Sequence, residues 1–285
     1  MEPDSTAMDP WLEPAPDFAD PGLAEAYDEL CLWAAPFGMA LLEAVQLRPD
    51  LRALDVGCGT GFPLLELAER LGPASEVHGV DPWKAGLQRA RRKAERWGLG
   101  WVRFHEGVAE QLPLDDASVD LIVSNNGLNN VADQERAFAE CARVARPGAQ
   151  MVFTMNLPGT MRTFYEAMAE TLVAEGKQAQ VDRMAAHIAE KRQPRELVER
   201  RVEGSGFRIR SVLASEFSLR FSGAAALFRH HFIRLGFLPA WQEVLTGIDL
   251  PSFIPRLSSA LEARTSRAGV LNLEVPFLCF DCLRG

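Results

Sequence analysis

A glycine-rich turn between an apolar run and an amphipathic segment constrains this chain more than any other feature. The turn lies within residues 54–63, Leu-Asp-Val-Gly-Cys-Gly-Thr-Gly-Phe-Pro, and begins after a short apolar run that ends at Val56. Residues 64–71, which follow it, have the pattern of an amphipathic helix. Strand, glycine turn and helix in this order are typical of the place where an open α/β sheet binds a nucleotide-like ligand.

The glycine spacing excludes the most common dinucleotide-binding sequence. That sequence needs glycine at its sixth position, but here Gly57-x-Gly59-x-Gly61 is followed by Phe62. Asp55 lies just before the turn, where its carboxylate would repel a pyrophosphate and attract an ammonium group. We therefore infer that the ligand is S-adenosylmethionine, which carries an amino acid group and no phosphate.

A second acidic residue, Asp81, ends the next predicted strand, residues 76–81. A carboxylate in this position can accept hydrogen bonds from both hydroxyls of a ribose, and we predict this role for Asp81. The alternative is that Asp81 caps the helix that begins near Pro82, and the two roles are compatible. Trp83 is predicted to lie on the adenine ring, with packing between helix and sheet as the alternative.

Four segments of the chain together carry a family resemblance. Residues 55–61 are Asp-Val-Gly-Cys-Gly-Thr-Gly and residues 107–113 are Gly-Val-Ala-Glu-Gln-Leu-Pro, while residues 118–125 and 143–149 add a strand and a helix-turn pattern. In this order they resemble the class I S-adenosylmethionine-dependent methyltransferases, in the group of the ubiquinone and menaquinone C-methyltransferases. The resemblance implies S-adenosylmethionine as cofactor, bound by Tyr27, Asp55, Gly57, Cys58, Gly59, Gly61, Phe62, Asp81, Pro82, Trp83, Val108, Ala109, Glu110, Ser124 and Asn125.

One position departs from the family pattern. Val108 stands where these proteins usually have an aspartate that accepts a hydrogen bond from the adenine amino group. The backbone N–H near Ala109 can still donate to the ring, and Glu110 is a candidate substitute for the missing acceptor. We therefore expect cofactor binding with an altered adenine contact.

The resemblance also implies the architecture. It predicts an α/β fold with a Rossmann-like, seven-stranded, mostly parallel sheet, helices on both faces and an antiparallel last strand. Residues 1–47 would form an N-terminal arm and lid helix, with Tyr27 in the lid or in the core. Residues 48–221 and 271–285 would form the methyltransferase core. Residues 222–270 would be a helical insertion between strands six and seven that caps the substrate site. Its start, Phe221-Ser222 through Leu227, resembles that of the inserted helix in the malonyl-carrier-protein O-methyltransferase of biotin synthesis.

Hydrophobic periodicity predicts the individual elements. A helix is predicted over 22–47 with a break near residues 36–38, and further helical patterns cover 178–203 and 224–247. Strands are predicted at 52–57, 76–81, 101–106, 119–124 and 149–155, and helices at 62–72, 83–97, 133–146 and 160–176.

Four asparagines within residues 125–130 follow the predicted fourth strand. At the carboxyl end of a parallel strand their amides offer donors and acceptors where both ligands should meet. We predict that Asn126 and Asn129 contact the methyl acceptor, with turn formation and capping of the next helix as the alternative. No catalytic residue is identified, and the candidate bases, for which structural or surface roles are the alternative, are His230, His231 and Tyr165.

The composition limits the partners and the location. A formal net charge of −9 disfavours nucleic-acid binding, and no apolar run approaches the roughly 20 residues of a membrane span. The basic run 89–96 is predicted to be the solvated face of a helix. Residues 1–5 lack the features of a signal peptide and the five cysteines suggest no disulfide framework, so we expect a cytoplasmic protein. Cys279-x-x-Cys282 lies in a strand-like run that points its thiols to opposite faces, and we expect no metal site.

These patterns predict a methyltransferase that moves a methyl group to a small, partly apolar molecule at an O, C or N atom. The alternative is a protein that binds S-adenosylmethionine without catalysing transfer, as a sensor or an accessory subunit. A protein or RNA methyltransferase is a third hypothesis, but the acidic composition argues against RNA. The sequence carries no signal for an oligomeric state.

Overall fold

The structure is a computed structural model that describes residues 10–29, 32–266 and 268–285. Its strands are β1 (Arg52–Val56), β2 (Glu76–Asp81), β3 (Val102–Glu106), β4 (Val119–Asn125), β5 (Ala145–Asn156), β6 (Phe207–Phe221) and β7 (Leu271–Arg284). Its helices are α1 (Pro21–Asp28), α2 (Ala34–Ala44), α3 (Leu64–Leu71), α4 (Lys84–Trp97), α5 (Gln134–Val144), α6 (Arg162–Ala174), α7 (Gln178–Lys191), α8 (Arg195–Gly204), α9 (Ala224–Arg229), α10 (His231–Gly236), α11 (Leu238–Val244) and α12 (Leu250–Glu262).

The described strands form one seven-stranded sheet in the order β3-β2-β1-β4-β5-β7-β6. Strands β1 to β5 pair in parallel, whereas β7 runs antiparallel to β5. Successive strand residues point to opposite faces: Leu54 and Ile122 join a buried cluster with α5 and α8, while Ala53 and Leu121 join another with α2, α3 and α4. This arrangement confirms the predicted Rossmann-like fold, including the helical insertion between β6 and β7.

The predicted break in the helix over 22–47 was placed wrongly. Helix α1 ends at Asp28 and α2 begins at Ala34, so the break precedes Pro36. Proline is tolerated in the first turn of a helix, because a backbone N–H there has no partner within the helix to lose. Residues 30 and 31, which the prediction included in this helix, lie outside the described residues.

Two other helical predictions are divided in the structure. The segment 178–203 is divided into α7 and α8. The break falls before Pro194, the N-cap of α8, because a residue that precedes proline disfavours the helical conformation. The segment 224–247 becomes the short helices α9, α10 and α11. The fifth strand begins at Ala145, earlier than predicted, with an irregular register where it first pairs with β4.

The described chain divides into two compact units. A sheet unit consists of residues 18–157, 191–215 and 276–285, and a helical unit consists of 10–17, 158–190 and 216–275. In the helical unit α12 packs on α6, and the ring of Phe164 stacks on Trp241 with 3.8 Å between centroids. Residues of the insertion thus share a core with segments before β1 and after β5. The predicted role of 222–270 as a cap stays a prediction.

A buried polar network joins the end of α2 to β5 and β7. The Gln150 carbonyl oxygen accepts from the backbone N–H of Gln46 at 2.9 Å. Its amide nitrogen donates to the carbonyl of Ala44 and to Oδ1 of Asp281, each at 2.9 Å. Arg210 pairs with the other oxygen of Asp281. Every polar atom of the Gln150 side chain is therefore used.

Replacing Gln150 by alanine is expected to lower the free energy of unfolding by about 2 kcal/mol, because buried backbone and carboxylate groups lose their partners. Urea denaturation followed by circular dichroism would measure this. Gln178→Ala is the matched control, since Gln178 bonds to Asp182 at an exposed position, and we expect a change of about 0.5 kcal/mol or less. Equal losses in the two variants would contradict a structural role for the network.

Candidate functional site

The carboxyl ends of β2, β1 and β4 lie side by side because these strands are parallel neighbours. Asp55, Asp81 and Asn125 stand at or next to these ends. Open α/β sheets bind their ligands at this edge. The candidate site is therefore centred on residues 57–61, the glycine turn, which directly follow β1.

The three glycines of the glycine turn have different surroundings. A Cβ on Gly57 would lie 2.7 Å from the Cα of Gly127, so this glycine lets the glycine turn contact the turn after β4. A Cβ on Gly59 would meet no described atom within 4 Å. At Gly61 a Cβ would press on side chains 3.0 to 3.1 Å away. Of these three glycines, Gly59 is thus the one that borders open space.

Asp81 holds the glycine turn and the start of α4 together. Its Oδ2 accepts from the N–H of Gly59 at 2.8 Å, and its Oδ1 accepts from the N–H of Trp83 at 2.7 Å. Burial raises the pKa of Asp81, and these two hydrogen bonds oppose the shift. A carboxylate has about four lone-pair positions. Asp81 is therefore not the N-cap of α4, which is Trp83, but it binds the N–H of that residue and keeps acceptor capacity for a ligand, while the next residue, Pro82, is exposed.

Asp55 is fully buried and has no ion-pair partner, and neither carboxyl oxygen accepts a hydrogen bond of normal geometry from the described residues. Burial, followed by the charge of Asp81, raises the pKa of Asp55 to about 8, although the N–H of Leu64 opposes the shift. An unpaired buried carboxylate is costly, so the group holds a proton near neutral pH. A cationic ligand group would supply the missing partner.

Aromatic residues near the amino terminus cover Trp83. The Tyr27 ring meets Trp83 edge to face with 5.4 Å between centroids, and the Phe18 ring does so at 5.7 Å. The indole N–H of Trp83 donates to the carbonyl of Phe18 at 2.7 Å. Burial and the charge of Asp81 both raise the pKa of Tyr27. The Tyr27 hydroxyl thus lies within electrostatic reach of the acid that ends β2.

The loop predicted to contact adenine has its acidic side chain engaged elsewhere. Oε1 of Glu110 accepts from the backbone N–H groups of Ala132 at 2.7 Å and Asp133 at 3.0 Å. Val108 is 44% exposed, and Ala109 is buried. The carboxylate of Glu110 therefore fixes the segment before α5, and its predicted contact with adenine would compete with these bonds.

Three other predicted cofactor residues also stabilise the fold. The Ser124 hydroxyl donates to the last carbonyl of β1 at 2.7 Å and accepts from the N–H of Leu128 at 3.2 Å. Cys58 is buried, which is the main reason that the pKa of its thiol is raised. Phe62 packs against Gly38, where a Cβ would lie 2.3 Å from its ring. Their contacts with a cofactor stay predictions.

Asparagine side chains from β5 and the β4 turn form one cluster. The amide nitrogen of Asn129 donates to Oδ1 of Asn126 at 3.0 Å and to Oδ1 of Asn156 at 2.7 Å. Thr154 donates to Oδ1 of Asn125 at 3.0 Å and accepts from the N–H of Asn126. Sequence reasoning missed Thr154 and Asn156, although both stand at the carboxyl end of a predicted strand. Neither Asn129 nor Asn126 caps α5, because its aspartate N-cap does so.

The candidate bases lie in the helical unit. The hydroxyl of Tyr165 accepts from the indole N–H of Trp241 at 3.1 Å, so this buried tyrosine has a structural partner. Burial and then the charge of His231 lower the pKa of His230. Nδ1 of His230 is buried without a partner in the described chain, and His231 is exposed.

Residues 54–153 match the sequence family described as "Methyltransferase domain". A demethylmenaquinone methyltransferase of Geobacillus kaustophilus is 38% identical over 112 residues, which are 39% of this chain and 48% of that protein. A malonyl-[acyl-carrier protein] O-methyltransferase of Halorhodospira halophila is 36% identical over 168 residues, 57% of this chain and 53% of that protein. The chain thus spans about half the length of these curated relatives.

Among solved structures, one similar chain is a geranyl diphosphate C-methyltransferase of Streptomyces coelicolor A3(2), in complex with Mg²⁺, geranyl diphosphate and S-adenosylhomocysteine. The match covers 91% of this chain and 84% of that one, with a TM-score of 0.54 and 17% identity. At this identity the likeness concerns the fold. No helix among the described residues has the length and apolarity of a membrane span. In the same residues no group of three or more His, Cys, Asp or Glu could hold a metal ion.

Proposed function

Because residues 54–153 form a class I S-adenosylmethionine-dependent methyltransferase domain, we propose that this protein transfers a methyl group from S-adenosylmethionine to a small, partly apolar molecule. The resemblance stated for the sequence is confirmed for this domain, whereas the activity of the whole chain is the proposal. The observation that carries it is the open space at Gly59 together with the buried carboxyl of Asp55, which has no cationic partner among the described residues.

The residues of the site fit the cofactor. An ammonium group next to Asp55 would satisfy the buried carboxyl. Asp81 has lone pairs left for ribose hydroxyls after its bonds to Gly59 and Trp83. Val108 and the N–H of Ala109 would lie next to the adenine ring.

The bound cofactor supplies a methyl group activated by the sulfonium to which it is attached. The residues of this chain bind and align the cofactor and the acceptor and exclude water, which is the main contribution of a protein to an in-line displacement. A general base is needed only for some acceptors, such as a phenol or a hydroxyl. The proposal therefore requires no catalytic role for His230, His231 or Tyr165.

The acceptor is proposed to be a small molecule that meets Asn126 and Asn129. Neutral amides suit hydroxyl and carbonyl groups, because they offer both donors and acceptors without a net charge. The name of the demethylmenaquinone methyltransferase supports a partly apolar acceptor. The relative that acts on a carrier-bound malonyl group supports a carboxylate as the second class to examine.

The proposal is tested by calorimetric titration with S-adenosylmethionine and S-adenosylhomocysteine, with NAD as the control. We expect dissociation constants on the order of micromolar for the first two ligands and no binding of NAD. Transfer of a labelled methyl group to naphthoquinols, phenols and carboxylic acids would then identify the acceptor class. Absence of binding to both adenosyl ligands would contradict the proposal.

The second candidate function is binding of S-adenosylmethionine without transfer. It is favoured by residues 107–113, the loop predicted to contact adenine. In this loop the Val108 side chain offers no hydrogen-bond acceptor, and Glu110 is bonded to the segment before α5. Turnover separates the two functions. Tight binding with no methyl transfer to any acceptor class would support a sensor or an accessory protein.

Affinity for the cofactor is expected to rise with pH between about 6 and 8, by up to about tenfold per unit. The pKa of Asp55 is raised to about 8, and the cationic ligand favours the ionised carboxyl, so binding releases a proton. In the free protein the effect of pH on folding stability has the opposite sign. The stability that the neutral acid contributes is complete below its unfolded pKa and is lost as the pH rises through the raised folded value.

Calorimetry in buffers of different ionisation enthalpy would measure the proton release. Asp55→Asn is the control, because it cannot titrate and the amino group of the ligand contributes equally to both proteins. We expect weaker binding by Asp55→Asn at pH 8 and a smaller pH dependence. The same pH dependence in both proteins would rule out Asp55 as the titrating group.

A further inference from the structure

One carboxylate connects three parts of the proposed cofactor site. Oδ2 of Asp28, the last residue of α1, lies 2.8 Å from Nε of Arg89, and its Oδ1 pairs with Lys93. Both cations belong to α4. The Thr60 side chain, which is part of the glycine turn, lies close enough to Asp28 to lower its pKa. A single side chain thus pairs α1 with α4 and lies next to the glycine turn.

The ion pairs of Asp28 are largely shielded from water. The side chains are 10% exposed for Asp28, 17% for Lys93 and 28% for Arg89. Burial alone would raise the pKa of Asp28, but hydrogen bonds from Lys93, Arg89 and Thr60 hold the pKa below its usual range. Removing one member of such a group leaves the others without a counter-charge. The sequence predicts that the basic face of α4 is solvated. This is only partly correct, because part of that face binds α1.

The residue before Asp28 contacts the site itself. The Tyr27 ring packs on Trp83, and the charge of Asp81 contributes to its raised pKa. Adjacent residues of a helix cannot move independently, so fixing Asp28 also fixes the position of Tyr27. The ion pairs on α4 and the acid that ends β2 are thereby connected through α1.

We propose that Asp28 is a positioning residue for cofactor binding. Its ion pairs with Arg89 and Lys93 hold Tyr27 on Trp83, close to the acid proposed to bind the ribose, and the nearby Thr60 connects α1 to the glycine turn. Asp28 makes no contact with the cofactor, and its effect passes mainly through Tyr27. This inference rests on the proposed function, because it requires the cofactor at the glycine turn.

Asp28→Asn tests the inference, because it keeps the size of the side chain and removes the charge. We expect the dissociation constant for S-adenosylhomocysteine to rise about tenfold, with faster hydrogen exchange of the α1 amides. The matched control is Glu25→Gln on the same helix, whose pair with Arg92 is about half exposed on both sides. For this control we expect a change of about twofold or less.

A double variant separates positioning from general stability. If Asp28 acts through Tyr27, the loss of affinity in Asp28→Asn with Tyr27→Ala should be smaller than the product of the two single losses. Losses that multiply would overturn the inference. So would a folded Asp28→Asn protein with a lower urea midpoint and unchanged affinity. If the wild-type protein does not bind S-adenosylhomocysteine, the proposed function itself fails, and the inference fails with it.

Discussion

Replacing Asp81 by alanine is expected to weaken S-adenosylhomocysteine binding by about a hundredfold or more. The variant loses the acceptor proposed for the ribose hydroxyls. It also leaves the N–H groups of Gly59 and Trp83 without the partner that orders the glycine turn. Calorimetric titration of the wild-type and variant proteins would measure the change.

Asp120→Ala is the matched control for this prediction. Asp120 also lies in the sheet and accepts a hydrogen bond from a backbone N–H, that of Arg52, but at the opposite ends of β1 and β4. It also pairs with Arg146. We expect Asp120→Ala to lower stability and leave the affinity unchanged. Near-normal affinity in the Asp81 variant would contradict the assignment of ribose binding to the end of β2.

Substituting Gly59 by valine is expected to abolish measurable cofactor binding. The side chain would enter the open space that Gly59 borders, which the proposed function assigns to the cofactor. The φ of +50° adds backbone strain of about 1 to 2 kcal/mol for a β-branched residue. Urea denaturation and titration with S-adenosylhomocysteine together separate these two effects.

Two further glycines provide controls. Gly98 at the end of α4 also has a positive φ, +72°, and no described atom near its Cβ position. Gly98→Val should therefore show the strain without the loss of binding. Gly57→Ala should lower stability directly, because its Cβ would meet the backbone of Gly127. Cofactor binding by Gly59→Val at wild-type strength would place the ligand elsewhere.

The local parts of the site were predictable from the sequence. Asp55 and the glycine turn come at the end of a short apolar run, and Asp81 ends the next one, so the apolar runs and the turn residues locate all three. The succession of strands and helices along the chain follows from the same pattern together with the family resemblance. These features depend on residues close together in the chain.

The distant pairings could not be read from the sequence. Glu110 bonds to the backbone before α5, and Asp28 pairs with cations more than sixty residues away. A carboxylate in a loop has the same pattern whether it binds a ligand or a backbone N–H. Asn156 joins the asparagine cluster only because β5 lies beside β4.

The contact between Gly57 and Gly127 determines which positions of the turn after β4 can be changed in protein engineering. At Gly127 a Cβ would lie 2.4 Å from the carbonyl oxygen of Val56, so any larger residue would separate the two turns. Asn126 and Asn129 bond to one another through their amides, and the φ of +58° at Asn126 favours asparagine, aspartate or glycine there. Libraries that seek a new acceptor should therefore keep both glycines, restrict position 126 to these three residues and vary Asn129.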